Sequence, residues 1–294
     1  MFLVPPTIWL LAFFLIPLAL IFAFSFGEKR GIIEIAITGT LDNYLRALDP
    51  LYLGIFLKSF WFAGLTTLVC LAVAFPVAIA ITFASPRWRP VLLLLTILPF
   101  WTNLLIRTYA LIAVLRTRGY VNFLLEDLWD GGNWLLNLVG LGSLQLLGAR
   151  FEPMQILYNN FAVVFGLVYV HLPFMVLPLY AALDRMDRSY LEASLDLGAG
   201  QFRTFFSIVV PLAMPGIISG LIITYIPALG SYLTPDLLGG TNSQMIANVI
   251  ERQFKSANDW PFGSALSFFL MYLTFFALAL RALFSKGGSS LEAA

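Results

Sequence analysis

The sequence predicts an all-α membrane protein with six transmembrane helices, and three observations lead there. Hydrophobic residues make up 60% of the 294 positions and charged residues only 11%, with a mean hydropathy of +0.88. Soluble domains carry roughly 25% charged residues. Six apolar stretches are long enough to cross a bilayer, which takes ~20 residues rising about 1.5 Å each through a ~30 Å core. One compact polar segment, Tyr190–Pro211, stands between two of the most apolar of them.

The expected spans are Phe2–Phe26, Ser59–Ala84, Val91–Leu115, Phe161–Leu183, Ile208–Gly230 and Gly263–Phe284. The first lacks the basic lead and the small-residue cleavage site of a signal peptide, so it reads as an uncleaved helix. Pro17, Pro76, Pro99, Pro173, Pro178, Pro215 and Pro227 fall inside these stretches. They would break soluble helices but are tolerated where neighbouring helices satisfy the freed carbonyls. Residues 1–284 thus read as a single transmembrane domain with a polar loop over 184–209. The tail 285–294 reads in part as a cloning remnant, outside the fold. Cys70 lies in an apolar run and, as the sole cysteine, forms no internal disulfide. A net charge of +1 offers nothing to nucleic acid.

Six spans put both termini on one side. Basic residues crowd the span ends on the side holding Arg87, Arg89, Arg185, Arg188, Arg203, Arg281 and Lys286. The other side carries nine basic residues against these seven, so raw count does not favour this assignment, but the density near the span ends supports placing this side in the cytoplasm. On the outer side, Gly119–Trp129 and Trp134–Leu147 are short apolar patterns separated by Gly131 and Gly132. They are expected as two interfacial or lid helices, with Trp129 and Trp134 near the headgroups.

In the polar loop, Asp187, Arg188 and Ser189 can cap a short helix over Tyr190–Leu197. Gly198 and Gly200 then permit a sharp bend, because glycine accepts positive φ without steric cost. A second short helix, Gln201–Val209, would lead into Pro211 and the next span, leaving Phe202, Phe205 and Phe206 free to enter a partner. Spacing alone favours a plainer reading, a solvated loop with helical tendency.

Glu192, Ala193, Ser194, three residues, Gly198, nine residues, Ile208, one residue, Val210 and Pro211 follow in order. This resembles the EAA signature of ABC importer permeases, which reads E-A-A, three residues, G, nine residues, I-x-L-P. Ser194 stands for alanine and Val210 for leucine. The resemblance implies a type I importer permease whose cytoplasmic coupling helices dock on a separate ATPase subunit, with Glu192, Ala193, Ser194, Gly198 and Arg203 at the contact. No G-x-x-x-x-G-K-[ST] phosphate loop occurs, so this chain is expected to bind no nucleotide, metal or other cofactor. ATP and magnesium belong to the implied partner.

Five further stretches resemble the permease subunits of spermidine/putrescine importers. They are "LDNYLRALDPLY" (Leu41–Tyr52), "LPFWTNLLIRTYAL" (Leu98–Leu111), "GLVYVHLPFMVLPLY" (Gly166–Tyr180), "PALGSYLTPDLLGG" (Pro227–Gly240) and "DWPFGSALS" (Asp259–Ser267). The resemblance implies a bacterial inner membrane location, a second similar permease subunit, two ATPase subunits and a periplasmic binding protein. Relatives for opines, thiamine or ferric iron share this layout.

A polycation cannot cross bare hydrocarbon; it needs carboxylates, aromatic faces or carbonyls along a wet path. Asp236 follows Tyr225 and Tyr232 at the outer end of span five, where Gly230 and Pro235 are expected to break the helix. Broken helices at membrane depth are where transporters build sites. An exposed turn-starting aspartate is the plainer alternative. Asp259 can likewise cap span six, with Trp260 as an interfacial anchor, or face the path. Arg107, deep in span three, can snorkel outward or pair with a carboxylate such as Asp236 or Glu251. His171, the sole histidine, has no second one for a metal site and reads as packed and hydrogen-bonded. No nucleophile–base motif suggests an enzyme. An ion-coupled carrier and a membrane scaffold remain the rivals from other classes.

Overall fold

The computed structural model describes residues 4–31, 34–138 and 150–285. In chain order, helix α1 (Val4–Ser25) leads to a hairpin of β1 (Gly27–Lys29) and β2 (Ile35–Ile37), then α2 (Asp42–Ala47) and α3 (Pro50–Phe83). Next come α4 (Arg89–Ile97), α5 (Leu104–Leu115), α6 (Tyr120–Leu138) and α7 (Asn160–Asp184). The chain ends with α8 (Ser189–Asp196), α9 (Gln201–Thr204), α10 (Val210–Leu229), α11 (Leu233–Leu238), α12 (Ile246–Lys255) and α13 (Trp260–Ser285).

Four helical stretches among the described residues are long and apolar enough to cross a membrane: Pro6–Ser25, Pro50–Phe83, Asn160–Asp184 and Gln201–Leu229. The expected third span is broken. α4 runs into a 3-10 turn at Leu98–Trp101, and the chain bends by 96° before α5 and α6 continue. Pro99 sits in that turn, and the Asn103 side chain opens α5 by accepting from the Leu105 amide at 2.8 Å. α13 covers the expected sixth span, with Trp260–Phe276 counted as a shorter apolar helix.

The helix limits follow local chemistry. Pro50 opens α3, where its missing N–H would have had no partner. Asn159 caps α7 by accepting from the Ala162 amide at 2.9 Å. Pro173 and Pro178 stay inside α7, and Pro215 and Pro227 inside α10, as the membrane setting allows. Gly230 ends α10 as expected, but Pro235 does not break the chain further. It lies in the first turn of α11, where no helical hydrogen bond is lost.

The segment expected on the outer side differs from expectation. α6 continues through Gly131 and Gly132 to Leu138 instead of forming two helices. Neither glycine adopts a positive φ, and Gly131 faces open space. A glycine costs a helix about 1 kcal/mol, which lowers stability but does not by itself end it. The remainder of the second expected helix, 139–147, and the tail 286–294 lie outside the described residues. Asn122 ties α6 to the returning chain. Its amide donates to the Met154 carbonyl at 3.0 Å, and its Oδ1 accepts from the Met154 amide at 2.9 Å.

The chain divides into two compact units, 1–59 with 245–294, and 60–244, and α3 contributes to both. In the first unit α13 packs on α1, α2 and α12. Phe22 meets Phe268, and Tyr52 meets Phe262, edge to face at 5.1 and 5.0 Å. The buried Ser59 hydroxyl accepts from the Ile246 amide at 2.7 Å. In the second unit α7 lies along α10. A Cβ placed on Gly216 would stand 2.5 Å from the Ala182 Cβ, and one on Gly220 2.7 Å from the Met175 sulfur. This G-x-x-x-G spacing lets two backbones approach closely, which is how helices gain packing energy where lipid removes the hydrophobic incentive. Cys70, Phe75, Ile81, Leu179, Val209 and Ala213 belong to the core beside that seam. Cys70 is fully buried, as its sequence context suggested.

Candidate functional site

The polar segment between α7 and α10 folds as a bent hairpin fastened to the second unit. The Asp187 carboxylate accepts from the Ser189 amide at 2.9 Å, which starts α8. Backbone and side-chain hydrogen bonds from Ser189 hold that carboxyl below the usual aspartate range. Arg188 occupies the cap position without a capping side-chain bond. Its guanidinium instead lies over the Phe83 ring, 5.4 Å from the centroid. Arg89 reaches the Asp184 carboxylate at 3.1 Å, a half-exposed pair worth no more than about 1 kcal/mol. Leu191 and Phe205 pack against the core, with Phe205 edge-on to Phe75 at 5.2 Å.

The bend falls at Gly198, with φ +76°, and nothing crowds it. The Gly198 amide bonds to the Leu195 carbonyl at 2.9 Å and the Ala199 amide to the Ser194 carbonyl at 3.1 Å. These close α8 in the left-handed manner that glycine favours. Gly200 takes no part in the left-handed turn; its φ of −69° is extended backbone that other residues share. Beyond it the expected second helix, Gln201–Val209, forms as α9 followed by a π turn at Phe205–Val209, and it runs without a break into α10. A π turn inserts an extra residue per turn and recurs at functional positions.

The coupling residues inferred from sequence therefore separate by exposure. Glu192, Ala193 and Arg203 lie on the outer surface of the hairpin. Leu197 and Phe202 are 88% and 85% exposed, and Phe206 is also outward. Ser194 is 7% exposed, and its hydroxyl meets that of Thr204, equally buried, at 2.9 Å. Phe205 points inward, so of the three phenylalanines only Phe202 and Phe206 remain available to a partner. The hydroxyl pair has no signature in the sequence, because the two residues meet only after the Gly198 turn is made.

The candidate pathway residues fall in both units. Tyr225 is half-buried on α10; Tyr232 and Asp236 are exposed around the break that starts α11. In the other unit, Asp259 caps α13 by accepting from the Phe262 amide at 3.3 Å and pairs with Arg46 at 2.9 Å. The Arg46 guanidinium also stacks on the Phe262 ring at 3.9 Å. Trp260 donates to Asn258 at 2.9 Å and meets Phe254 edge-on at 5.5 Å. Both residues thus hold the start of α13 in place.

Of the two arrangements open to Arg107, outward snorkelling and a carboxylate partner, the buried guanidinium atoms show neither. Its Nε and Nη1 are buried with no acceptor among the described residues, and its charge faces the Phe100 ring at 5.6 Å. Glu251 pairs instead with Lys255 at 2.8 Å, one helical turn along α12. A cation over an aromatic ring gains about 0.5–2 kcal/mol, less than a carboxylate would offer in a low dielectric. His171 is packed and hydrogen-bonded, its Nδ1 2.8 Å from the Leu167 carbonyl.

Long apolar helices, one of them sharply bent, with a fastened polar hairpin at the foot of another define an α-helical, multi-pass membrane protein. The chain belongs to the family described as "binding-protein-dependent transport system inner membrane component", which matches residues 1–287. It is 40% identical over 265 residues to the spermidine/putrescine transport system permease protein PotB of Haemophilus influenzae, covering 90% of this chain and 86% of that one. The PotB of Escherichia coli is 42% identical over 259 residues, covering 88% and 87%. Among solved structures, a chain of a bacterial ABC transporter that imports the acidic polysaccharide alginate superposes with a TM-score of 0.70 at 16% identity. That match covers 98% of this chain and 95% of the other. At that identity the likeness shows the fold alone. The family consists of transport subunits that are not themselves enzymes.

Proposed function

We propose that this chain is a permease subunit of an ATP-driven importer for spermidine and putrescine. It crosses the inner membrane six times with both termini in the cytoplasm. The observation that carries the reading is the likeness to PotB at about two residues in five over nine-tenths of the chain. A second, similar permease completes the translocation path. Two ATPase subunits bind below, and a periplasmic binding protein delivers the polyamine from outside.

In this account the α8–α9 hairpin is the coupling lever. Glu192, Ala193, Arg203, Leu197 and Phe202 form its outward face and enter the ATPase, while Gly198 sets its bend. Ser194, though within the motif, serves inside the lever. Closure of the ATPase pair moves the lever, and the lever moves α7 and α10, which are packed too closely to slide independently. This is alternating access driven from outside the bilayer. Tyr225, Tyr232 and Asp236 offer aromatic faces and one negative charge to a passing ammonium chain. Asp259 and Trp260 shape the outer rim through their hold on α13.

The test is reconstitution of the chain with its partner permease, ATPase and binding protein in proteoliposomes. Spermidine or putrescine is expected to stimulate ATP hydrolysis and to accumulate inside. Uptake of a different solute with no competition from either polyamine overturns the substrate. Uptake without the ATPase overturns the mechanism and favours an ion-coupled carrier.

A further inference from the structure

We infer that Ser194 and Thr204 are positioning residues that clamp the two arms of the hairpin, so that α8, α9 and the head of α10 move as one body. The inference rests on the lever reading above and adds the device that makes a lever stiff. Three observations carry it. The two hydroxyls meet at 2.9 Å, and both residues are 7% exposed, so water competes little for the bond. Each arm has one apolar attachment to the core, Leu191 on α8 and Phe205 just past α9, leaving the far end of the hairpin held by the hydroxyl pair and the Gly198 turn. On its other flank, α8 borders through Tyr190 a groove of about 600 Å³ that is also lined by Arg185, Leu212 and Pro215.

Thr204 also has a special position. It is the last residue before the π turn at Phe205–Val209, where the helix changes hydrogen-bond register on its way into α10. A push on α8 that crosses the Ser194–Thr204 bond reaches the helix at that turn. Without the bond, α8 pivots about Gly198 and the push is spent on bending the hairpin. The serine that replaces alanine in the signature thus has a partner of its own in this chain.

The test uses Ser194→Ala, Thr204→Val, their double variant and Thr204→Ser in the reconstituted complex. The first two remove one hydroxyl at near-constant volume, and Thr204→Ser keeps it. ATP hydrolysed per polyamine imported is expected to rise about fivefold in both single variants, the ratio that one net hydrogen bond commands. The double variant should show no further rise, since one bond is lost in each case, and Thr204→Ser should stay at the wild-type ratio. A wild-type ratio in both single variants overturns the clamp. Should a variant fail to assemble, hydrogen exchange at the Ala199 and Thr204 amides of the full-length chain decides. Faster exchange, again restored in Thr204→Ser, supports the clamp, and unchanged exchange overturns it. Failure of the lever reading itself looks different: wild-type chain and ATPase would then not copurify at all.

Discussion

At Gly198 the backbone stands at φ +76°, a conformation that a β-branched side chain reaches only at a cost of about 1–2 kcal/mol. Nothing lies within 4 Å of a Cβ built there, so the penalty is one of backbone conformation and not of collision. Gly198→Val is therefore expected to alter the bend while leaving the transmembrane helices folded. Glu192 is exposed and holds no bond that the fold needs, so Glu192→Lys tests the surface alone. Each variant is expected to reduce copurifying ATPase by about tenfold while the transmembrane bundle stays folded, the loss that ~1.4 kcal/mol of interface energy brings. Normal copurification in both refutes their place at the contact. Gly198 was legible because a glycine ending a capped helix has one common use. The roles of Gly200 and Phe205 were not, since neither spacing nor residue type reveals which of two glycines turns left-handed or which of three phenylalanines points inward. The same limit applies to Arg107: a lone cation in an apolar span signals a need for a partner without naming it.

Among the elements, the α7–α10 pair carries the heaviest constraint. A Cβ added at Gly216 would stand 2.7 Å from the Pro178 carbonyl oxygen and 3.3 Å from the Leu179 Cα, besides the Ala182 side chain, so even a methyl group there meets atoms that cannot step aside singly. Gly216→Leu is expected to separate the two helices and lower the thermal unfolding temperature in detergent. The cost is about 1–3 kcal/mol or more, as for other overpacked interiors. An unchanged melting temperature would show that the seam is looser than drawn. Apolar length revealed α1, α3, α7 and α10 at the sequence level, because a long hydrophobic run has few other uses. The broken third span and the undivided α6 were hidden for one reason. Proline and glycine mark places where a helix is weakened, and packing decides whether it yields. At Pro99 it yields into a 3-10 turn, whereas at Gly131 and Gly132 it does not. The π turn that joins the hairpin to α10 left no trace in residue type at all.

For the whole molecule, the α8–α9 hairpin is assigned to the cytoplasm. That assignment rests on the basic residues crowding the same ends, among them Arg89, Arg185 and Arg188, two of which also fasten the hairpin's base. In the proposed orientation the exposed residues of the hairpin, Glu192 and Leu197, are open to a cytoplasmic ATPase. Reversed, no ATPase could reach Glu192 or Leu197. The most direct measurement is sided labelling of Leu197→Cys, a residue 88% exposed at the tip of the hairpin. A Cys70→Ala background removes the sole native thiol. A membrane-impermeant maleimide is expected to modify the tip in inside-out vesicles, to miss it in intact cells, and to be blocked when the ATPase is bound. Modification from outside intact cells would contradict the account.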